Sequence, residues 1–207
     1  MGPWRRFPWL FLILVCVTKD REVEVKFQVA DLTGLSARLE QSGFRLVTPR
    51  AREINTLYDQ PGAKLRRRGA LLRLREFGPK WTLTYKDKSS SSGGRHKSRR
   101  EIETAVENGE AAGRIVEALG FAPSFRYEKF RSEWTDGAGH VVVDETPIGD
   151  YAEIEGQPKW IDATAGLLGV KPDEYITLSY TELFVAWKRR TKSKAAEMTF
   201  QAVRRSK

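Results

Sequence analysis

The sequence predicts an α+β fold in which eight antiparallel β-strands close into a barrel with helices packed outside. Three observations carry this expectation. Short segments alternate apolar and charged residues with period two, several are joined by hairpin-length turns, and helical patterns are fewer than strands. A chain of 207 residues suits one domain of ordinary size.

The elements follow in order. Over 21–29 the alternation is strict, with Val23, Val25, Phe27 and Val29 on one face and Glu22, Glu24, Lys26 and Gln28 on the other. Asp31 suits the cap of a helix whose Leu32, Leu35 and Leu39 recur at helical spacing, closed by Gly43. Strands are expected at 44–47, 53–58, 71–76, 80–87 and 99–106, with a Ser/Gly-rich surface loop over 88–98. A second helix covers 109–119 and closes at Gly120. Strand, helix and Gly-Phe thus recur, a weak internal duplication. Strands at 125–134, 140–145 and 151–155 come next, with a turn at 136–139, then helices at 160–168 and 180–187. The last twenty residues are basic and poorly periodic and are expected to be disordered. The chain therefore divides into a leader (1–20), a barrel domain (21–187) and a tail (188–207).

The formal charge of +9 would by itself suggest nucleic acid or an anionic membrane as partner. Its location says otherwise. Residues 188–207 carry +7 and residues 1–21 carry +3, which leaves 22–187 at −1 within the +9 total. The single cysteine, Cys16, excludes an internal disulfide and a thiolate metal cluster. Arg5 and Arg6 before the apolar run 7–17 resemble the start of a signal peptide, but the run is too short to span a bilayer and lacks a small-x-small cleavage site. The alternative is a misplaced translation start, with the protein beginning near Val17 or Thr18. Residues 1–17 are expected to be dispensable, and the working protein to be cytoplasmic without stable membrane association. Interposed helices, and charges such as Arg126 and Glu128 beyond the inward set, argue against an outer-membrane barrel. His96 and His140 are isolated, so neither a zinc site nor a Ser-His-Asp triad is expected. Gly93-Gly94 lacks a phosphate-loop pattern, and the scattered aromatics suit core packing rather than nucleic acid.

Period-two counting groups charged residues with Glu22, Glu24 and Lys26: Arg73 with Arg75, Thr84 with Lys86, Glu101 with Glu103, Lys129 with Arg131, and Glu153 with Glu155, while Asp144 ends HVVVD. Such a face is ordinarily solvated. Here the opposite face is apolar enough to be the core beneath the helices, so the charges are expected to line a tunnel. Unpaired charge inside a tunnel is costly, which calls for a ligand or dense ion pairing. Arg73, Arg75, Lys86, Lys129 and Arg131 suit phosphate oxygens. Glu22, Glu24, Glu101, Glu103, Asp144, Glu153 and Glu155 offer hard oxygen ligands to Mg2+ or Mn2+. On this reading, removing Arg73 or Lys129 relieves a crowd of positive charge in the ligand-free protein.

The same residues carry a resemblance. EVEVK at 22–26 matches the ExExK signature of the CYTH, or triphosphate tunnel, family. The match continues through NTLYD at 55–59, LRLR at 72–75, LTYK at 83–86, EIE at 101–103, KFR at 129–131, VD at 143–144 and EIE at 153–155. The ordered series covers about 22–185. The resemblance implies an eight-stranded tunnel in which basic side chains hold a triphosphate, Lys26 among them, and acidic ones hold metal. It implies catalytic roles for Lys26, Lys86 and Arg131, and metal ligation by Glu22, Glu24 and Glu153 or Glu155. Family members include class IV adenylate cyclases, thiamine triphosphatases and inorganic triphosphatases. SYTELF at 179–184 looks like the closing helix of the cyclases, so conversion of ATP to cyclic AMP and pyrophosphate is the first expectation. Hydrolysis of tripolyphosphate, thiamine triphosphate or a nucleoside triphosphate is the second, and a non-catalytic polyphosphate-binding module the third. A homodimer is compatible with the sequence.

Overall fold

The computed structural model describes residues 22–89 and 96–206. The leader and most of the Ser/Gly-rich stretch, with the expectations placed on them, lie outside the described residues. Nine strands form one antiparallel sheet: β1 (Glu22–Val29), β2 (Arg45–Asp59), β3 (Leu71–Phe77), β4 (Lys80–Lys86), β5 (Lys97–Arg99), β6 (Glu101–Val106), β7 (Ala122–Thr135), β8 (His140–Thr146) and β9 (Gly149–Glu155). Their order is β5-β1-β9-β8-β7-β2-β3-β4-β6.

The two ends of that order are neighbours in sequence. β5 pairs with β1 and β6 with β4, and only Arg100 separates β5 from β6. The alternation passes through the break unchanged, since Lys97, Arg99, Glu101 and Glu103 all line the interior. The expected strand at 99–106 thus extends back to Lys97 and closes a barrel of eight strands in which one strand is interrupted. Lys97 and Ser98, assigned to a loop by composition, belong to it.

Two other boundaries differ from the sequence expectation. The segments 44–47 and 53–58 are parts of one long strand, β2, whose register against β7 shifts between Leu46 and Thr48 and between Thr48 and Ala51. Pro49 sits in that irregular stretch. It has no N–H to give the ladder, and bulging keeps the strand continuous around it. A short helix, α2 (Lys64–Arg67), went unexpected; Asp59 accepts from the N–H groups of Leu65 (2.8 Å) and Arg66 (3.1 Å) and so ties down its start.

The duplication is visible in detail. α1 (Leu32–Gln41) and α3 (Gly109–Ala118) are capped by Asp31 and Asn108, each accepting a 2.9 Å bond from the N–H three residues on. Each helix ends in a left-handed glycine, Gly43 at φ 84° and Gly120 at φ 87°. The Phe that follows donates back to the helix, Phe44 to Leu39 O and Phe121 to Val116 O. The long strands that come next, β2 and β7, pair with each other.

The outer faces of β1, β8 and β9 bury Val25, Phe27, Val141, Val143, Ala152 and Ile154 under α1 and α4 (Pro158–Leu167), with Leu35, Leu39 and Ile161 facing them. A smaller cluster, Tyr58, Leu74 and Val116, seats α3. The third cluster overturns the expectation of a disordered tail over 188–207. α5 (Tyr180–Thr191) continues past Trp187, and α6 (Phe200–Arg205) follows. Ala195, Met198 and Val203 are buried with Tyr127, Tyr151, Tyr180, Phe184 and Trp187. Met198 also exchanges backbone bonds with β7, donating to Arg126 O and accepting from Glu128 N, both at 3.1 Å. The tail's apolar residues are few, but Ala195, Met198 and Val203 are buried in the core. Among the described residues no helix is long and apolar enough to cross a membrane.

Candidate active site

Antiparallel register decides which side chains meet inside the barrel. Lys97, Glu24, Glu155 and His140 form one row across β5, β1, β9 and β8, and Lys26 faces Glu153 in the next. Glu22, Glu24 and Glu155 each present a carboxylate oxygen within 4.8 Å of the others. Three hard oxygens so close suit a divalent cation, and their repulsion shows in their acidity. Burial, then the neighbouring Glu22, Glu153 and Glu24, push the Glu155 carboxyl up to about 8. Glu22 goes the other way. Burial opposes its ionisation, but Lys86 and Arg99 outweigh burial and hold it well below the usual carboxylate range. The cluster is short of positive charge at Glu155, the deficit a dication would fill, so these residues fit a resident metal.

The basic residues are not crowded together. Lys26 Nζ lies 2.5 Å from Glu153 Oε1. Arg131 makes a fork to both oxygens of Asp144 and a third contact to Glu153, each at 2.7 Å. Lys129 reaches Asp144 at 2.7 Å and Glu53 at 3.4 Å. Lys86 bridges Glu22 (2.7 Å) and Glu101 (2.8 Å). Arg75 meets Glu103 at 3.1 Å, and Arg73 meets Glu103 at 3.5 Å and Glu101 at 3.8 Å. The expected crowd of positive charge is therefore absent, because carboxylates alternate with the bases. Burial would lower the Lys26 ammonium, yet Glu153 and Glu24 raise it above its ordinary value, so it stays charged. Arg73 is the least satisfied; its buried Nε has no hydrogen-bond partner, as an anion-binding group awaiting its ligand would not.

Lys26, Arg73, Arg75, Lys86, Lys129 and Arg131 line one cavity with Glu22, Glu24, Glu101, Glu103, Glu153 and Glu155. Asp144 does not. It is wholly buried behind the wall, and its oxygens are taken by Lys129, Arg131 and the Tyr180 hydroxyl, which donates at 2.6 Å. Asp144 thus stands apart from the trio of Glu22, Glu24 and Glu155, as the shared counterion of Lys129 and Arg131. Glu153 and Glu103 are likewise engaged by Lys26, Arg131, Arg73 and Arg75.

Sequence reasoning missed four contributors. Lys97 and Arg99 share parity with Glu101 and Glu103, a signal hidden by the Ser/Gly-rich composition before them. Glu53, wholly buried, shares parity with Leu57 of the cavity wall and stands among Lys129, Arg131 and Arg75. Tyr180 opens α5 and places its ring 4.6 Å from Lys26 Nζ and 4.7 Å from Lys129 Nζ.

The CYTH domain family model matches residues 20–166 of this chain. The chain belongs to the CYTH family. Members of that family bind triphosphates and generally depend on divalent metal. The CYTH barrel described above is shared by solved structures. A candidate adenylate cyclase from Vibrio parahaemolyticus is 21% identical, with a TM-score of 0.70 over 79% of this chain and 97% of that one. A Pyrococcus horikoshii protein is 24% identical, with a TM-score of 0.67 over 78% and 98%. A Hippeastrum protein, a candidate adenylyl cyclase described as having a dominant triphosphatase activity, is 16% identical, with a TM-score of 0.60 over 80% and 95%. At these identities the likeness is one of fold. No curated protein matches the sequence.

Proposed function

We propose that this chain is a divalent-metal-dependent enzyme that processes a triphosphate inside its CYTH barrel, with ATP cyclisation as its first reading. One observation carries the proposal: a trio of carboxylates, Glu22, Glu24 and Glu155, opens onto the same cavity as Lys26, Arg73, Arg75, Lys86, Lys129 and Arg131. Glu22, Glu24 and Glu155 would hold Mg2+ or Mn2+, which supplies Lewis-acid polarisation of the phosphates. The bases grip the phosphate chain and offset charge gathering on the leaving group. Arg131, Lys26 and Lys86, fixed by Asp144, Glu153 and Glu22, would act on the reacting phosphates with little reorganisation. In cyclisation the ribose 3′-oxygen bonds to the α-phosphorus, the bond to the β-phosphate oxygen breaks, and pyrophosphate leaves. Such a substrate with its magnesium places the work in the cytoplasm.

Hydrolysis is the second reading, and a feature of the cavity favours it. The tyrosine rings on its wall, Tyr127 and Tyr180, are both buried and stacked on each other, with centroids 6.0 Å apart. Among the described residues neither offers an open face to a purine, whereas water attacking a terminal phosphorus needs none. The Hippeastrum neighbour's described triphosphatase activity points the same way. Product analysis with ATP and with tripolyphosphate, each with Mg2+ and with Mn2+, decides. Cyclic AMP with pyrophosphate supports cyclisation and orthophosphate supports hydrolysis. Absence of turnover under all four conditions rejects both in favour of a binding module.

A further inference from the structure

β5 brings to the carboxylate trio a lysine that the proposed function does not use. Lys97 pairs in register with Glu24, and its Nζ lies 3.0 Å from Glu24 Oε1. On the other side of Glu24 stands Glu155, directly across β9. The Lys97 side chain is only 10% exposed and lines the same cavity as Lys86 and Arg99, which hold Glu22. In this arrangement the cation beside Glu24 is the protein's own ammonium.

A divalent ion seated on Glu22, Glu24 and Glu155 would compete with Lys97 for the Glu24 carboxylate, and the repulsion between the two cations weakens the hold of each on it. Once displaced, an ammonium so little exposed needs another anionic partner. Glu182 on α5 lies within its field but is already tied to the Ser179 N–H and hydroxyl at 2.8 and 2.7 Å. The cavity into which Lys97 opens is the one lined by the phosphate-gripping bases. A lysine's four-carbon stem makes the swing feasible, where a fork-shaped guanidinium is less free.

We propose that Lys97 is an internal cation held at the metal site of the metal-free protein, displaced from Glu24 when a divalent ion binds and handed over to the triphosphate. Metal and triphosphate then bind synergistically, since each relieves what the other leaves unpaired. The inference rests on the metal reading above, and the test separates the two. Titrate Mn2+ calorimetrically into the full-length protein without phosphate, then tripolyphosphate into the Mn2+-loaded protein, for wild type, Glu24→Gln, Lys97→Met and Lys97→Arg. In Lys97→Met, Mn2+ should bind about tenfold more tightly, because no buried ion pair must first be broken, and tripolyphosphate about tenfold more weakly. Lys97→Arg, which keeps the charge, should stay near wild type for the metal. Lys97→Gln carries the same expectations as Lys97→Met should the methionine variant fold poorly. Unchanged or weaker Mn2+ binding in Lys97→Met overturns the internal-cation role, and unchanged tripolyphosphate affinity overturns the hand-over. Should wild type bind no Mn2+, or Glu24→Gln bind it equally well, the metal reading itself fails.

Discussion

At the scale of the residue, the side chains of this barrel are decided by what would be left behind if one were removed. Lys129 is 2% exposed and faces Asp144 and Glu53, both wholly buried. Lys129→Ala leaves two buried carboxylates with Arg131 as their principal partner, so it should cost about 3–5 kcal/mol of stability, measured by denaturant unfolding. Arg73 has longer contacts, 3.5 and 3.8 Å, and an orphaned Nε. Arg73→Ala should weaken tripolyphosphate binding while shifting the unfolding midpoint far less. Equal stability losses in the two variants would contradict this distinction. Glu24→Gln should abolish metal-dependent turnover in a protein that still folds, because an amide cannot replace an anionic ligand; turnover at the wild-type rate would remove Glu24 from the metal site. The sequence makes these side chains legible as one charged face, since parity alone sorts Glu22, Glu24, Lys26, Arg73, Arg75, Lys129, Arg131 and Glu153 inward. It does not make legible who pairs with whom. Asp144 looked like a ligand because it ends a strand of the right parity, and only the register of β7 against β8 sets it opposite Arg131.

Among the elements, legibility follows local pattern and fails where a long-range partner supplies the order. Both capped helices announce themselves by a closing glycine, and α1 also by Asp31, because these signals act within one turn; the cap at Asn108 emerges from the structure. β2 reads as two strands because Pro49 interrupts the alternation, whereas the structure absorbs Pro49 in bulges against β7. The segment after Thr191 fails more completely. Ala195, Met198 and Val203 are too sparse to show a period, yet they are 5%, 0% and 3% exposed against Tyr127, Tyr151 and Trp187. Met198→Ala should therefore cost about 2–5 kcal/mol, a penalty no disordered tail could impose. The same substitution should reduce triphosphate affinity, because Tyr127 and Tyr180 of that cluster also line the cavity. A midpoint unchanged in denaturant would show that the tail does not pack. α3 offers a second check on close packing: a Cβ at Gly109 would come 2.0 Å from the Trp81 ring, so Gly109→Ala must move Trp81 or the helix start, and should destabilise.

For the whole molecule, one barrel interior holds many carboxylates and many bases, and its stability depends on pH through whichever of them are mismatched. Glu22, Glu53 and Glu153 are held below their ordinary value despite burial, by Lys86, by Lys129 and Arg131, and by Lys26 and Arg131 respectively. Their contribution is present above the unfolded value, near 4.5, and is lost as the protein is acidified below it. Glu155 has the opposite sign. Between 4.5 and about 8 the unfolded chain has lost this proton while the folded protein keeps it, so metal-free stability falls as pH rises through that window. Above about 8 both states are ionised and the slope from this group ends. On the proposed metal site a divalent ion would take the proton's place between Glu22, Glu24 and Glu155, so the rise in melting temperature caused by Mn2+ or Mg2+ should be small near pH 5, grow through neutrality, and level off above about 8. Glu155→Gln removes both the proton and a ligand, and should flatten the metal-free pH slope while abolishing the metal-induced shift. Melting curves from pH 5 to pH 9, with and without metal, test this directly. A metal-induced shift independent of pH, or a metal-free stability that climbs from pH 5 to 8, would show that Glu155 is not the residue at which the barrel's charge is out of balance.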